Sequence, residues 1–191
     1  MSIMDNVLKE WESNGRPVPA PVLYKIKTIV EYAQKYGTKI FVETGTNRGV
    51  TIGSVHMNFK DNYSVELADH LYEYCRDLFK NYERIHLYHG LSEEELPKIL
   101  EKVTEPAIFW LDSHYSAGET AKGPTSSSLY REIPAILSHP INGHVILVDD
   151  TYCCVDSDGY LSPEMIEKMI KEKHPNYSVS IDGYILRAVP T

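Results

Sequence analysis

Short apolar runs alternate along the chain with segments of helical spacing. Residues 39–44 (KIFVET), 63–67 (YSVEL), 85–89 (IHLYH), 107–112 (AIFWLD) and 144–150 (HVILVDD) read as strands. Several are nearly continuous in apolar or aromatic residues, the pattern of strands buried on both faces of a parallel sheet. Helical spacing occupies 49–58, 68–81, 92–102 and 125–138, and 162–173 follows the fifth strand. Ser92 with Glu95 has capping-box spacing, and Ser162 before Pro163 reads as an N-cap with proline at the first helical position. Two further helices are predicted before the first strand, over 2–11 and 20–36, separated by the proline-rich break GRPVPAP.

The C-terminus changes character. YSVSI, then Asp182 and Gly183, then YILRAV is an antiparallel hairpin signal, with Asp-Gly supplying the positive φ angles of a tight turn. Five βα units closed by a hairpin, joined by right-handed crossovers, predict an α/β fold. Its core is a doubly wound, mostly parallel seven-stranded sheet with helices on both faces and a C-terminal antiparallel hairpin. A length of 191 residues suits one domain. Residues 1–38 are then an N-terminal helical segment packed on a core of 39–191. That segment is free either to cover a bound cofactor or to form a homodimer contact.

Composition narrows the function classes. The formal charge of −8, with basic residues interleaved among acids, argues against a nucleic-acid partner. The start MSIMDNVLKEW lacks the basic-then-apolar order of a secretory signal, and no apolar run is long enough for a bilayer, so no membrane partner is expected. Cys75, Cys153 and Cys154 are odd in number and lack CxxC spacing. They predict neither a disulfide framework nor a cysteine-based zinc site, and place the chain in a reducing, cytoplasmic setting.

Doubly wound sheets bind ligands at the C-terminal ends of their strands. The first strand ends in Glu43-Thr-Gly45-Thr46-Asn47-Arg-Gly49. Gly45 permits a sharp turn and close ligand approach, and Gly49 lets the next helix pack tightly. The full dinucleotide pattern G-x-G-x-x-G is absent, and the acid before Gly45 repels a pyrophosphate but attracts a cation. Both features argue against an NAD-dependent oxidoreductase. Glu66, before Leu67 and 23 positions after Glu43, stands where a ribose-binding acid is expected. FVETGTNRG followed by YSVEL resembles the first two motifs of class I S-adenosylmethionine-dependent methyltransferases, whose sheet also ends in an antiparallel hairpin. The resemblance implies that Glu43, Gly45, Thr46, Asn47 and Gly49 hold the methionine end of the cofactor. Glu66 and Leu67 then take the ribose, and Gly90, Leu91 and Ser92 the adenine, with Asp112 also at the cofactor. Leu91 departs from the family, which often has an acid there, leaving backbone groups or Ser92 to recognise the adenine.

The fourth strand ends at Asp112 and the fifth at Asp149-Asp150. As neighbours in the predicted order, these acids need a compensating cation or raised pKa values. An oxygen-only cluster suits a hard ion such as Mg²⁺; the alternative is that Asp149 or Asp150 caps the following turn. The arrangement resembles metal-dependent sugar O-methyltransferases of antibiotic pathways. That resemblance implies Asp112, Asp149 and Asp150 as metal ligands, Asp112 and Asp149 with His114 as catalytic groups, and a small-molecule or glycan acceptor. FWLDSHYSAGETAKG and HVILVDDTY are similar to small methyltransferase-like proteins of glycan and natural-product clusters. His114, with an unperturbed pKa near neutrality, is alternatively a metal-free base for the attacking hydroxyl. Residues 116–124 (SAGETAKGP) read as a lid. Asp156-Ser-Asp158-Gly159 imitates a calcium loop, but Cys154 and Met165 stand where the EF-hand pattern needs acids, so a turn is expected. A non-catalytic cofactor-binding module is the competing class.

Overall fold

The structure, a computed structural model, describes residues 3–191, with side chains described from Asn6 onward. Two helices, α1 (Ile3–Ser13) and α2 (Val22–Tyr36), precede β1 (Ile40–Thr44). Ser2, expected in the first helix, lies outside the described residues. Then follow α3 (Val50–Val55), β2 (Asp61–Glu66), α4 (Asp69–Phe79), β3 (Ile85–His89), α5 (Ser92–Leu100) and β4 (Ala107–Leu111). The chain closes with α6 (Leu129–Leu137), β5 (Val145–Val148), α7 (Pro163–Lys173), β6 (Tyr177–Asp182) and β7 (Ile185–Pro190). The seven strands form one sheet in the order β3-β2-β1-β4-β5-β7-β6, with β5–β7 and β6–β7 antiparallel and the rest parallel.

Strand alternation builds two cores, because successive side chains point to opposite faces. In β4, Ala107, Phe109 and Leu111 join Val42, Val65, Ile146 and Val148 under α5, α6 and α7. Ile108 and Trp110 point the other way and pack with Phe41, Leu147, Ile29 and Ala33 of α2, Ile52 of α3 and Phe79 of α4. Helix α2 therefore belongs to the same core as the sheet, lying against α3, β4 and β5. No helix among the described residues is long and apolar enough to cross a membrane.

Three local expectations are corrected. The hairpin turn is centred on Gly183 (φ +55°) and Tyr184 (φ +65°), one position later than Asp182-Gly183, because Asp182 still pairs with Ile185. A side chain at 183 would collide with the Tyr24 ring, 2.2 Å from the added Cβ, so glycine must stand first in this turn. Ser92 is no cap: Leu91 holds the N-cap position without a side-chain cap hydrogen bond, and Ser92 is buried. The helix expected over 125–138 begins only at Leu129, since Ser127 donates its N–H to the Asp158 carbonyl and Gly159 lies against the Ser127 backbone. Ser162 caps α7 as expected, accepting from the Met165 N–H, with Pro163 opening the helix. Residues 156–159 form the expected turn.

Candidate active site

The parallel ladder runs one residue past each central strand and so aligns their ends. Gly45 N–H donates to Val65 O, Gly90 N–H to Glu66 O, Asp112 N–H to Thr44 O, and Asp149 N–H to Leu111 O, each at 3.0 Å. A cleft of about 260 Å³ opens on this row. Of the cofactor-site residues expected from sequence, Gly45, Asn47, Glu66, Leu67, Gly90, Leu91, Ser92 and Asp112 line it. Gly45 has φ +88°, and a Cβ there would stand 2.4 Å from the Asp112 carbonyl oxygen, so the turn after β1 rests directly on the strand end that carries Asp112.

The Glu66 carboxylate is held by backbone. Its Oε2 accepts from Asn47 N–H at 2.7 Å and its Oε1 from Ala68 N–H at 2.8 Å. Each oxygen keeps a second lone pair for a ligand hydroxyl. Glu43, Thr46 and Gly49 do not line the cleft. Glu43 is fully buried, accepting from Ser64 Oγ at 2.6 Å, and Ser64 is shared with Thr46 at 2.6 Å. Burial pushes the Glu43 carboxyl well up, against the Ser64 hydrogen bond. Alternation sends Glu43 to the face of Phe41, inside the sheet layer, rather than to the opening. Gly49 opens α3 against the Phe79 ring.

The acid corner lies between β4 and β5. His114 Nδ1 is 3.2 Å from Asp112 Oδ1, and its Nε2 is 3.7 Å from Asp150 Oδ2. The hydrogen bond to Asp112 outweighs burial and, with the nearby carboxylates, raises the His114 pKa. Asp150 has φ +48°, a left-handed conformation that aspartate tolerates better than most residues. The hairpin supports it from below: Thr151 N–H donates to Tyr184 O at 2.9 Å, and the Tyr152 and Tyr184 rings meet edge to face.

Asp149 was expected beside Asp112 and Asp150 as a metal ligand and catalytic group. It does not line the main cleft but borders a small adjoining cavity with Asp112, His114 and Asp150, accepting from Asp150 N–H through Oδ1 and lying 2.5 Å from Lys25 Nζ through Oδ2. Lys25 also reaches Asp150 Oδ1 at 3.2 Å. Burial disfavours the Lys25 ammonium, but Asp149, Asp112 and Asp150 outweigh it and raise its pKa. Burial also pushes the Asp149 carboxyl up, helped by Asp112 and Asp150 and opposed by Lys25. The compensating cation that three acids require is thus a lysine from α2. Sequence reasoning asked for that charge without finding its source. Among the described residues, the ligand atoms of Asp112, His114 and Asp150 lie within 4.8 Å of one another.

One more support escaped the sequence. Glu132 of α6, fully buried, accepts from Ser113 Oγ at 2.6 Å and fixes the residue between Asp112 and His114. The segment read as a lid does wall the cleft, with Ser116, Thr120, Ala121, Gly123 and Pro124 among its lining. It is tied down by Arg48–Glu119 at 2.5 Å and Lys122–Asp158 at 3.6 Å. All three cysteines are free.

No protein-family model matches the sequence, and no curated protein matches it. Solved structures do match. An O-methyltransferase from Bacillus cereus in complex with S-adenosylhomocysteine aligns with TM-score 0.63 at 14% identity, over 98% of this chain and 90% of that one. TomG from Streptomyces achromogenes, an O-methyltransferase involved in tomaymycin synthesis and solved with S-adenosylmethionine, gives TM-score 0.63 at 12% identity, over 98% and 89%. The S-adenosylhomocysteine-bound methyltransferase PaMTH1 from Podospora anserina gives 0.60 at 13%, over 100% and 89%. At such identities the likeness is one of fold: the chain has the Rossmann-like fold of S-adenosylmethionine-dependent methyltransferases.

Proposed function

We propose that the protein is an S-adenosylmethionine-dependent O-methyltransferase acting on a hydroxyl of a small acceptor, with a sugar or glycan as the acceptor class. The observation that carries this reading is convergence on one cleft: the Gly45 turn, the backbone-held Glu66 carboxylate and the Asp112–His114–Asp150 corner all open onto it. The fold neighbours named above include O-methyltransferases, in keeping with it. Glu66 takes the ribose hydroxyls, the Gly45–Asn47 turn the methionine end, and Gly90 to Ser92 the adenine. Asp112 and Asp150, on either side of His114, offer carboxylate acceptors to neighbouring hydroxyls of a sugar ring.

Asp112 accepts the His114 Nδ1–H and leaves Nε2 as the base. As the methyl carbon leaves sulfur, the C–S bond breaks and the C–O bond forms. The acceptor proton passes to His114 Nε2, and S-adenosylhomocysteine departs as a neutral thioether. The loop over 113–126 excludes water from the sulfonium. Asp112, His114 and Asp150 also fit a divalent ion by their mutual distances. Two carboxylates with one imidazole suit Mn²⁺ better than the Mg²⁺ expected of an all-oxygen cluster. Such an ion supplies Lewis acidity to a bound hydroxyl.

Calorimetric titration with S-adenosylhomocysteine should show saturable binding; no binding at high micromolar concentration refutes the reading. With labelled S-adenosylmethionine and a panel of sugar acceptors, His114→Ala should lower turnover by about 10²–10⁴-fold while cofactor binding is kept. Unchanged turnover removes His114 as the base. Loss of turnover in EDTA, restored by Mn²⁺, would favour the metal-assisted course.

A further inference from the structure

The cation at the acid corner comes from outside the strand-end motifs. Lys25 lies in the first turns of α2, whose Ile29 and Ala33 are buried against the sheet, so its ammonium is carried to a fixed place by core packing. The Lys25 side chain is 13% exposed and that of Asp149 fully enclosed. One Asp149 oxygen accepts the Asp150 N–H, and the other, buried and without a hydrogen-bond partner, is ion-paired with Lys25. Asp150 is divided: Oδ1 faces Lys25, while Oδ2 faces His114.

We propose that Lys25 is the resident cation of this corner, a positioning residue that takes Asp149 out of metal coordination and aims Asp150 at His114.

Three carboxylates, Asp112, Asp149 and Asp150, stand against Lys25, whose ammonium offsets part of the negative charge that three bare acids would offer an incoming ion. An ion at Asp112, His114 and Asp150 would also meet the ammonium already paired with one of its ligands, and like charges at such range repel strongly in a partly buried site. Asp149 cannot join the coordination without stripping Lys25 of its closest partner, which would leave a buried charge uncompensated. The same pairing holds the left-handed Asp150 with its free oxygen toward the imidazole.

Its bearing on turnover rests on the methyltransferase reading, but the charge role is read without cofactor or acceptor. Mn²⁺ binding would be followed by loss of the free-ion EPR signal in wild type, K25M, K25R and D149N. K25M should bind Mn²⁺ at least about tenfold more tightly than wild type, and K25R, which keeps the charge, should stay near wild type. Loss of a true ligand weakens metal binding by about 10–100-fold or more, so D149N, with Asp149 outside the coordination, should change it by less than about tenfold. Unchanged affinity in K25M overturns the proposal. If K25M does not fold, the other proteins still decide: tight Mn²⁺ binding by wild type that D149N abolishes would make Asp149 a ligand and overturn it.

Discussion

Gly45 is the position where one added carbon costs most. With φ +88° and the Asp112 carbonyl oxygen 2.4 Å from the site of a Cβ, no rotamer relieves the clash. Gly45→Ala should lower stability by at least about 2 kcal/mol in urea melts and abolish cofactor binding, since backbone must move at the strand end itself. Glu66→Ala should weaken S-adenosylhomocysteine by about 10–100-fold, the worth of hydrogen bonds to a charged group. Asp150→Ala should weaken it by less than threefold, because Asp150 faces the His114 side of the cleft. A reversed order in calorimetry would refute the division between cofactor and acceptor ends. Glu66, Asp112 and His114 were legible because strand-end acids and the residues after them have only one edge to occupy. Asp149 lies at the same corner but outside the main cleft's lining, and the period-2 rule accounts for its direction. It stands two residues after Leu147, which faces α2, and so it turns toward α2 as well. Lys25 was illegible because its Asp150 partner is 125 residues away along the chain and nothing local marks the pairing.

At the scale of elements, apolar runs located the five parallel strands, whose burial leaves few other arrangements, and the hairpin signal located the last two. Helix ends were less legible, because polar side chains with cap spacing need not cap. Ser92 has cap spacing yet is buried without capping its helix, while Glu132 receives Ser113 and so ties α6 to the end of β4. Burial raises the Glu132 pKa, and the serine hydrogen bonds oppose that rise. Glu132→Ala would strand the Ser113 hydroxyl and should cost about 1–3 kcal/mol. It should also weaken turnover through a loosened Ser113–His114 turn, whereas Glu132→Gln, which keeps an acceptor oxygen, should recover most of both. Equal loss in the two variants, by urea melts and methyl-transfer assay, would show that the carboxylate charge matters and not the hydrogen bonds.

At the scale of the whole molecule, the sheet has a chemical end and a structural end. The C-terminal edge gathers acids, the lysine and the cleft. The opposite edge is closed by two histidines that join α5, β4 and the chain entering β5. His144 Nδ1 accepts from Ala107 N–H at 3.0 Å, which fixes its proton on Nε2. That proton faces His139 Nδ1 at 3.0 Å, and His139 Nε2 in turn faces the Leu100 carbonyl at 3.0 Å. Every ring nitrogen in this relay has a role only while His144 is neutral. Burial, with His139 and His174 adding like charge, depresses the His144 pKa to about 4. The unfolded chain, with its histidine near 6.5, binds the proton first as the solution is acidified. Stability from this group is therefore complete above pH 6.5, declines as pH falls, and is lost once pH passes below about 4. A depression of two to three units corresponds to roughly 3 kcal/mol across that window. Urea melts of the wild type should lose about this much between pH 7.5 and 4 from His144 alone, on top of any contribution from carboxylates. His144→Leu should be less stable at pH 7.5, having left the Ala107 N–H unpaired, but should show a shallower decline with acid. The same slope in both proteins would mean that the histidine relay does not set the acid limit of the fold.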